Sequence, residues 1–305
     1  MRIANDISGP AMPNSALSPS PPNPMPVSAA NSSASPSDNL GEIGPLETRL
    51  AQTAEEVKQA QSLRYDIFYR ERDRAGDWQT RATGRDVDRF DAYCDHLLVI
   101  DRSLPDDRKI VGTYRLLHGE QQRKAGQYYS ENEFELAPLF ATHSGKRFLE
   151  VGRSCVRPGH RSRRTMELMW QGIFAFVLRH QIDILFGCAS FPGTDPAAHG
   201  ATLAWLADNA VLPNDSDCPP KGAPAIALNG TNNEPLDARS AFKALPPVLK
   251  GYMRLGAKVA SHAVIDESFD TMDVLVVLDM AAVNPKYLAH YKADASRFSR
   301  SGSTD

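Results

Sequence analysis

One turn concentrates the side chains most suited to chemistry. Five basic or potentially basic residues, Arg157, His160, Arg161, Arg163 and Arg164, lie within eight positions. They follow an apolar run that reads as a strand (Arg147–Val156) and precede a run that reads as a helix (Arg163–His180). A helix N-terminus just past a strand offers free backbone N–H groups and the positive end of the helix dipole, which together suit a phosphate or an acidic partner. Upstream, the strand itself carries Glu150 and Arg153. A glutamate there could act as a general base on an amine. The two residues are three apart, so a regular strand would point them to opposite faces unless a bulge intervenes, and Gly152 would permit one. An N–H of the bulged segment, at Val156 or its neighbour, could then stabilise an oxyanion.

Other charged residues fall elsewhere in the chain. Asp88 and Asp91 could hold amines. Arg64 and Arg115 could grip a carboxylate in bidentate fashion, or could pair with Asp88, Asp91 or Glu150. Cys188 and Ser190 have nucleophile chemistry, but no GxSxG elbow surrounds them. Cys94, Cys155, Cys188 and Cys218 form no CxxC pair. They read as free thiols of a reducing compartment, with no zinc or other metal site.

The elements that must position these groups can be read from periodicity. Ala54–Arg72 has helical spacing through Val57, Ala60, Leu63, Arg64, Ile67 and Phe68. Asp73–Phe90 is charged and loop-like. His96–Asp101 and Ile110–Leu117 form a hairpin pattern. Glu131–Phe140 is a short helix or ordered loop. Met166, Met169, Trp170, Ile173, Phe174 and Val177 line one face of the Arg163–His180 helix. Asp183–Phe191 is a buried strand, Ala197–Asp208 a helix, and residues 209–244 are rich in loops. Leu245–Leu255 is a helix with two prolines in its first turn, where they are tolerated. Strands at Lys258–Asp266 and Asp273–Leu278 close the fold. Consecutive strands with helices between them predict an α/β domain with a mixed sheet covered by helices.

The chain has 305 residues, with 34 Lys+Arg against 37 Asp+Glu. That balance argues against nucleic acid as a partner. Residues 1–45 hold nine of the 22 prolines and are expected to be a disordered tail. The domain is expected over 46–295, with a second disordered tail at 296–305. No run is long and apolar enough to span a bilayer and no secretory signal is evident, so a cytoplasmic location is expected.

Val156-Arg157-Pro158, followed by Arg161, resembles the acyl-donor loop of the GNAT acyltransferase superfamily. Arg164 and Met166 stand where that loop has small residues. A wider pattern covers most of residues 60–291. It includes Leu63–Tyr69, Phe90–Val99, Val111–Leu117, Leu149–Val156, Phe186–Gly193 and Leu245–Tyr252. This pattern is similar to the bacterial L-ornithine N-alpha-acyltransferases, which make lyso-ornithine lipid from 3-hydroxyacyl-acyl carrier protein. The framework also resembles the acyl-homoserine lactone synthases, through Arg64 and Phe68, Asp88 and Asp91, Arg115, and Glu150 with Arg153.

The resemblance implies a GNAT-like, mostly antiparallel sheet and an acyl transfer to the α-amine of L-ornithine. It implies a donor carried on the 4'-phosphopantetheine of acyl carrier protein, with no bound cofactor. Glu150 and Arg153 would be catalytic. Arg64, Phe68, Asp88, Asp91 and Arg115 would bind substrate, and Val156, Arg157, His160, Arg161, Arg163 and Arg164 the donor. An amphipathic product would favour peripheral contact with the inner membrane surface. Two readings stay open beside this one: a lactone synthase using S-adenosylmethionine, and a non-catalytic carrier-protein-binding module.

Overall fold

The computed structural model describes residues 39–285 and 287, except 75 and 231–236. Among the described residues nine strands form one sheet in the order β1-β2-β3-β4-β5-β6-β9-β8-β7. They are β1 (Asn39–Ile43), β2 (Leu46–Leu50), β3 (Asp95–Asp101), β4 (Ile110–His118), β5 (Phe148–Val156), β6 (Ile184–Pro192), β7 (Ala225–Ala227), β8 (Lys258–Asp266) and β9 (Thr271–Asp279). Every neighbouring pair is antiparallel except β5 with β6. The GNAT-like, mostly antiparallel architecture expected from the sequence is the one found.

Alternation along β3 shows why its residues are nearly all apolar. Leu97 and Val99 enter one core, and Leu98 and Ile100 enter another on the opposite face. The first face is covered by α5 (Arg163–His180), which buries Met169, Ile173, Phe174 and Val177. The helix approaches so closely that a Cβ at Gly172 would come within 2.8 Å of the Leu97 side chain. Ser162 caps it by accepting from the Thr165 N–H at 3.2 Å. The second face is covered by α1 (Ala54–Tyr65), through Ala60 and Leu63. Each fully buried Leu, Ile or Phe contributes about 1.5–3 kcal/mol. These two helices therefore clamp the part of the sheet that carries the basic turn and Glu150.

Several boundaries differ from expectation. The described residues begin at Asn39, inside the segment expected to be a tail. Leu40 is buried, Gly44 turns the chain with φ 62°, and β1 pairs with β2. Pairing and one buried leucine outweigh the polar composition here. The rest of that tail, and the expected tail at 296–305, lie outside the described residues.

The α-helical hydrogen bonding of α1 stops at Tyr65, and Asp66–Arg70 continues as one wider π turn. A short helix, α2 (Trp78–Thr83), interrupts the expected loop, capped by Asp77 and ended by Gly84. Another, α3 (Gly119–Ala125), follows β4 directly. Glu131–Phe140 divides between a 3-10 turn at Tyr129–Asn132 and α4 (Ala137–Thr142). The remaining helices are α6 (Gly200–Asn209), α7 (Ala238–Ala244) and α8 (Pro247–Leu255). No helix among the described residues is long and apolar enough to cross a membrane.

Candidate active site

The parallel pair β5–β6 is joined only through Phe148–Glu150 and Ile184–Phe186. Beyond that the strands part, while β6 stays paired with β9 as far as Pro192. The last close approach is backbone on backbone: a Cβ at Gly187 would lie 2.1 Å from the Val151 carbonyl oxygen, so only glycine fits. On its other side, β5 bulges against β4. Thr113 pairs with Cys155 and Arg115 with Gly152, so two steps on one strand match three on the other. Arg153 takes up the extra residue with φ 51°, a left-handed conformation that is uncommon outside glycine. A bulge of the kind Gly152 would permit is present, and Arg153 rather than Gly152 carries the strain. Parting and bulge together open a cavity of about 410 Å³, lined by Glu150, Arg153, Arg115 and Phe68 among others.

Glu150 is buried, and its carboxylate is well supplied with donors. Oε1 accepts from the Ser130 N–H at 2.6 Å and the Ser130 hydroxyl at 2.5 Å, and Oε2 accepts from the Tyr129 N–H at 2.7 Å. These bonds pin the start of the Tyr129–Asn132 turn against β5. Burial raises the proton affinity of Glu150 above the ordinary carboxylate value, although the bonds to Ser130 and Tyr129 oppose it.

The residues named from sequence as substrate binders come together, but mostly with each other. Arg64 is fully buried and donates from Nε to Asp86 at 2.8 Å and from Nη2 to Asp91 at 2.7 Å. Arg115 donates from Nη1 to both Asp88 oxygens at 2.7 Å and to Asp91 at 3.2 Å. Arg153 completes the set, 3.4 Å from Asp86 and 3.7 Å from Asp88, and donates to the Tyr129 hydroxyl at 3.1 Å. Three arginines thus face three aspartates. Burial would raise Asp91, but Arg64 and Arg115 overcome it and hold the carboxyl well below its usual range. Asp88 and Asp91, expected to hold amines, are therefore spent on arginines and do not line the cavity. Of the expected binders, Phe68 and Arg115 reach its wall.

The acids that do reach it were not singled out from sequence. Glu133, Asp266 and Asp273 line the cavity and place one carboxylate oxygen each within 4.8 Å of the others. Among the described residues they are the one group close enough to share a metal ion. Burial, with Asp273 beside it, pushes Glu133 up to about 7. Burial also raises Asp273. Asp273 was legible as the lone acid inside the apolar run Thr271–Leu278, a signal that the strand assignment absorbed. Glu133 and Asp266 gave none, being ordinary loop-edge acids in sequence.

Cys188 faces the same cavity, 3.5 Å from the Ser130 hydroxyl, and burial pushes its thiol well above the usual value. At neutral pH it is a thiol, poorly suited to be a nucleophile. All four cysteines are free.

The basic turn lies at the far end of β5. The Arg157 N–H donates to the Val111 carbonyl at 2.7 Å across β4, so alternation turns the Val156 N–H to the side that β6 has left. His160 lies 3.1 Å from Asp101, and Arg161 forms a bidentate pair with Glu71 at 2.8 and 2.6 Å. Arg163 and Arg164 are exposed in the first turn of α5.

Comparison with known proteins places this geometry. The chain is 44% identical over 265 residues to the L-ornithine N(alpha)-acyltransferase of Rhizobium meliloti (strain 1021), covering 86% of this chain and 90% of that protein. The chain belongs to the L-ornithine N(alpha)-acyltransferase family. The enzyme of that name from Agrobacterium fabrum (strain C58 / ATCC 33970) is also 44% identical, over 85% of this chain and 89% of its own. The acetyltransferase (GNAT) domain model matches residues 63–171, which span Arg64, the paired aspartates, β4, β5 and the basic turn. A CoA-dependent acyl-homoserine lactone synthase solved with SAM and isopentyl-CoA is 17% identical, with a TM-score of 0.43, over 80% of this chain and 83% of its own. Membership of the acyltransferase family makes the cavity between β5 and β6 the candidate site of acyl transfer.

Proposed function

We propose that this chain is an N-acyltransferase that moves a 3-hydroxyacyl group from the phosphopantetheine thioester of acyl carrier protein to the α-amine of L-ornithine. The product is an amide, lyso-ornithine lipid, and a free carrier thiol. The observation that carries this reading is the match to ornithine acyltransferases along more than four-fifths of the chain. On this reading the reaction takes place in the notch between β5 and β6.

The reaction needs a neutral amine. At pH 7 a peptide-like α-amine costs about 1.4 kcal/mol to deprotonate and a lysine-like side-chain amine about 5. The proton goes to Glu150, relayed through the Ser130 hydroxyl that it already holds at 2.5 Å. The raised proton affinity of Glu150 suits that task. The Val156 N–H, on the open side of β5, stabilises the thioester oxygen as it gains charge. Arg153, held in its bulge by Asp86, Asp88 and Tyr129, fixes the strand that carries both groups.

Arg163 and Arg164 present positive charge to an acidic carrier protein beside the N-terminus of α5. No metal or redox cofactor enters this scheme. The amphipathic product favours work at the cytoplasmic face of a membrane, as a peripheral contact.

The test is thiol release from 3-hydroxyacyl-acyl carrier protein, with L-ornithine added or withheld. Ornithine-dependent release is expected, with about 100-fold or greater loss of turnover in Glu150→Gln. Release that depends on S-adenosylmethionine instead would make the chain a lactone synthase. Binding of carrier protein without release would make it a binding module.

A further inference from the structure

We infer that Glu133, Asp266 and Asp273 form the pocket that holds the side-chain ammonium of the amino-acid acceptor. This deepens the proposed function and rests on it for the identity of the acceptor. Three oxygens, one from each carboxyl, lie within 4.8 Å of one another on the cavity wall. They come from separate places: the residue after the Tyr129–Asn132 turn, the end of β8, and β9.

Two further observations point to a ligand. Asp273 is only 7% exposed, and although Ser190 and Thr271 ease its carboxyl, its Oδ1 has no hydrogen-bond partner; Cys188 eases Glu133, whose buried Oε2 has none either. Among the described residues no lysine, arginine or histidine forms an ion pair with any of the three. Arg153, which also lines the cavity, spends its contacts on Asp86, Asp88 and Tyr129. Asp266 does accept from Ser268 and Phe269, but through Oδ1, which leaves Oδ2 open. Buried acids are normally paired because an unpaired buried charge is costly. A group left unpaired in a substrate cavity is matched by the substrate. An ammonium brings three N–H donors and one positive charge, and this pocket offers three acceptors.

The pocket also determines which nitrogen reacts. An ammonium among carboxylates is held protonated and so loses its nucleophilicity. The side-chain nitrogen is anchored in that state, and the α-amine is left to meet the thioester. Neutral amino acids of the same shape would lack the anchor, so the trio selects a diamino acid.

The experiment is isothermal titration of the full chain with L-ornithine and with L-norvaline, which has the same carbon skeleton and no δ-amine. The wild type is expected to bind ornithine about 100-fold or more tightly than norvaline. Asp273→Asn and Glu133→Gln are each expected to lower that ratio by about 30-fold or more. A ratio unchanged in both variants, or no preference in the wild type, would overturn the pocket. Two variants are used so that one that does not fold leaves the other to decide. Magnesium and calcium are titrated in parallel, and tight binding of either that ornithine cannot displace would make the trio a metal site instead. Selective binding that the variants abolish, with no acyl transfer to ornithine, would keep the pocket and sink the proposed reaction. Transfer to ornithine with an unaltered ratio in the variants would do the reverse.

Discussion

Two acidic clusters border the same site and are treated in opposite ways. Asp86, Asp88 and Asp91 meet Arg64, Arg115 and Arg153, and their charges are neutralised within the fold. Glu133, Asp266 and Asp273 meet no basic partner among the described residues and stay open to the cavity. The first cluster ties α1 and the Asp86–Asp91 loop to β4 and to the bulge of β5. It is a scaffold, and its removal is a matter of stability. The second has only neutral partners, Cys188 on Glu133 and Ser190 and Thr271 on Asp273, with Arg153 acting from a distance, and it answers to a ligand. Polar side chains grouped by type alone would have confused the two; pairing distinguishes them.

The largest effect expected is on the paired cluster. Asp91→Asn strips a buried charge from Arg64 and Arg115 and should cost about 3–5 kcal/mol in denaturant unfolding. Asp273→Asn, measured beside it without substrate, removes one of three mutually repelling acids and should not lower stability. Equal losses would erase the distinction between the clusters.

The pH dependence should also have opposite signs. Asp91 is held below its usual value, so its stabilisation is present above about pH 4 and is lost as pH falls further. Glu133 is raised from 4.5 to about 7, so its contribution is full below 4.5 and is lost as pH rises through 7. Asp273 and Asp266 face Glu133 and reinforce the rise that burial causes, and the Cys188 thiol and Arg153 oppose it. The substrate-free chain should therefore be more stable at pH 5 than at pH 8, by up to about 3 kcal/mol. Glu133→Gln should flatten that slope, and an unchanged slope would remove Glu133 from the account. The smallest effect belongs to the surface. Arg163→Glu with Arg164→Glu should raise the KM for carrier protein about 5-fold at low salt and less at high salt. Salt-independent kinetics would return both arginines to the solvated face.

The sequence was informative where periodicity and type coincide. The helix Arg163–His180 has the same limits in the structure, because Ser162 caps it and its apolar stripe is continuous. The three-residue spacing of Glu150 and Arg153 puts them on opposite faces of a regular strand unless a bulge intervenes, and one does. The Arg–Asp network was harder to read. Sequence offered both substrate binding and mutual pairing for Arg64, Arg115, Asp88 and Asp91. Only the fold shows Asp86 and Arg153 completing the set. Glu133, Asp266 and Asp273 are 140 positions apart at the extreme, so nothing local marks them as a group. They meet because β9 lies between β6 and β8, a sheet order that the chain order does not disclose.

The most direct measurement is of the product itself. The chain is given 3-hydroxyacyl-acyl carrier protein and L-ornithine, and tandem mass spectrometry finds which nitrogen carries the acyl group. With the side-chain ammonium held by the acidic trio, the amide is predicted on the α-nitrogen alone. Acyl groups on the δ-nitrogen, or on both nitrogens alike, would contradict it.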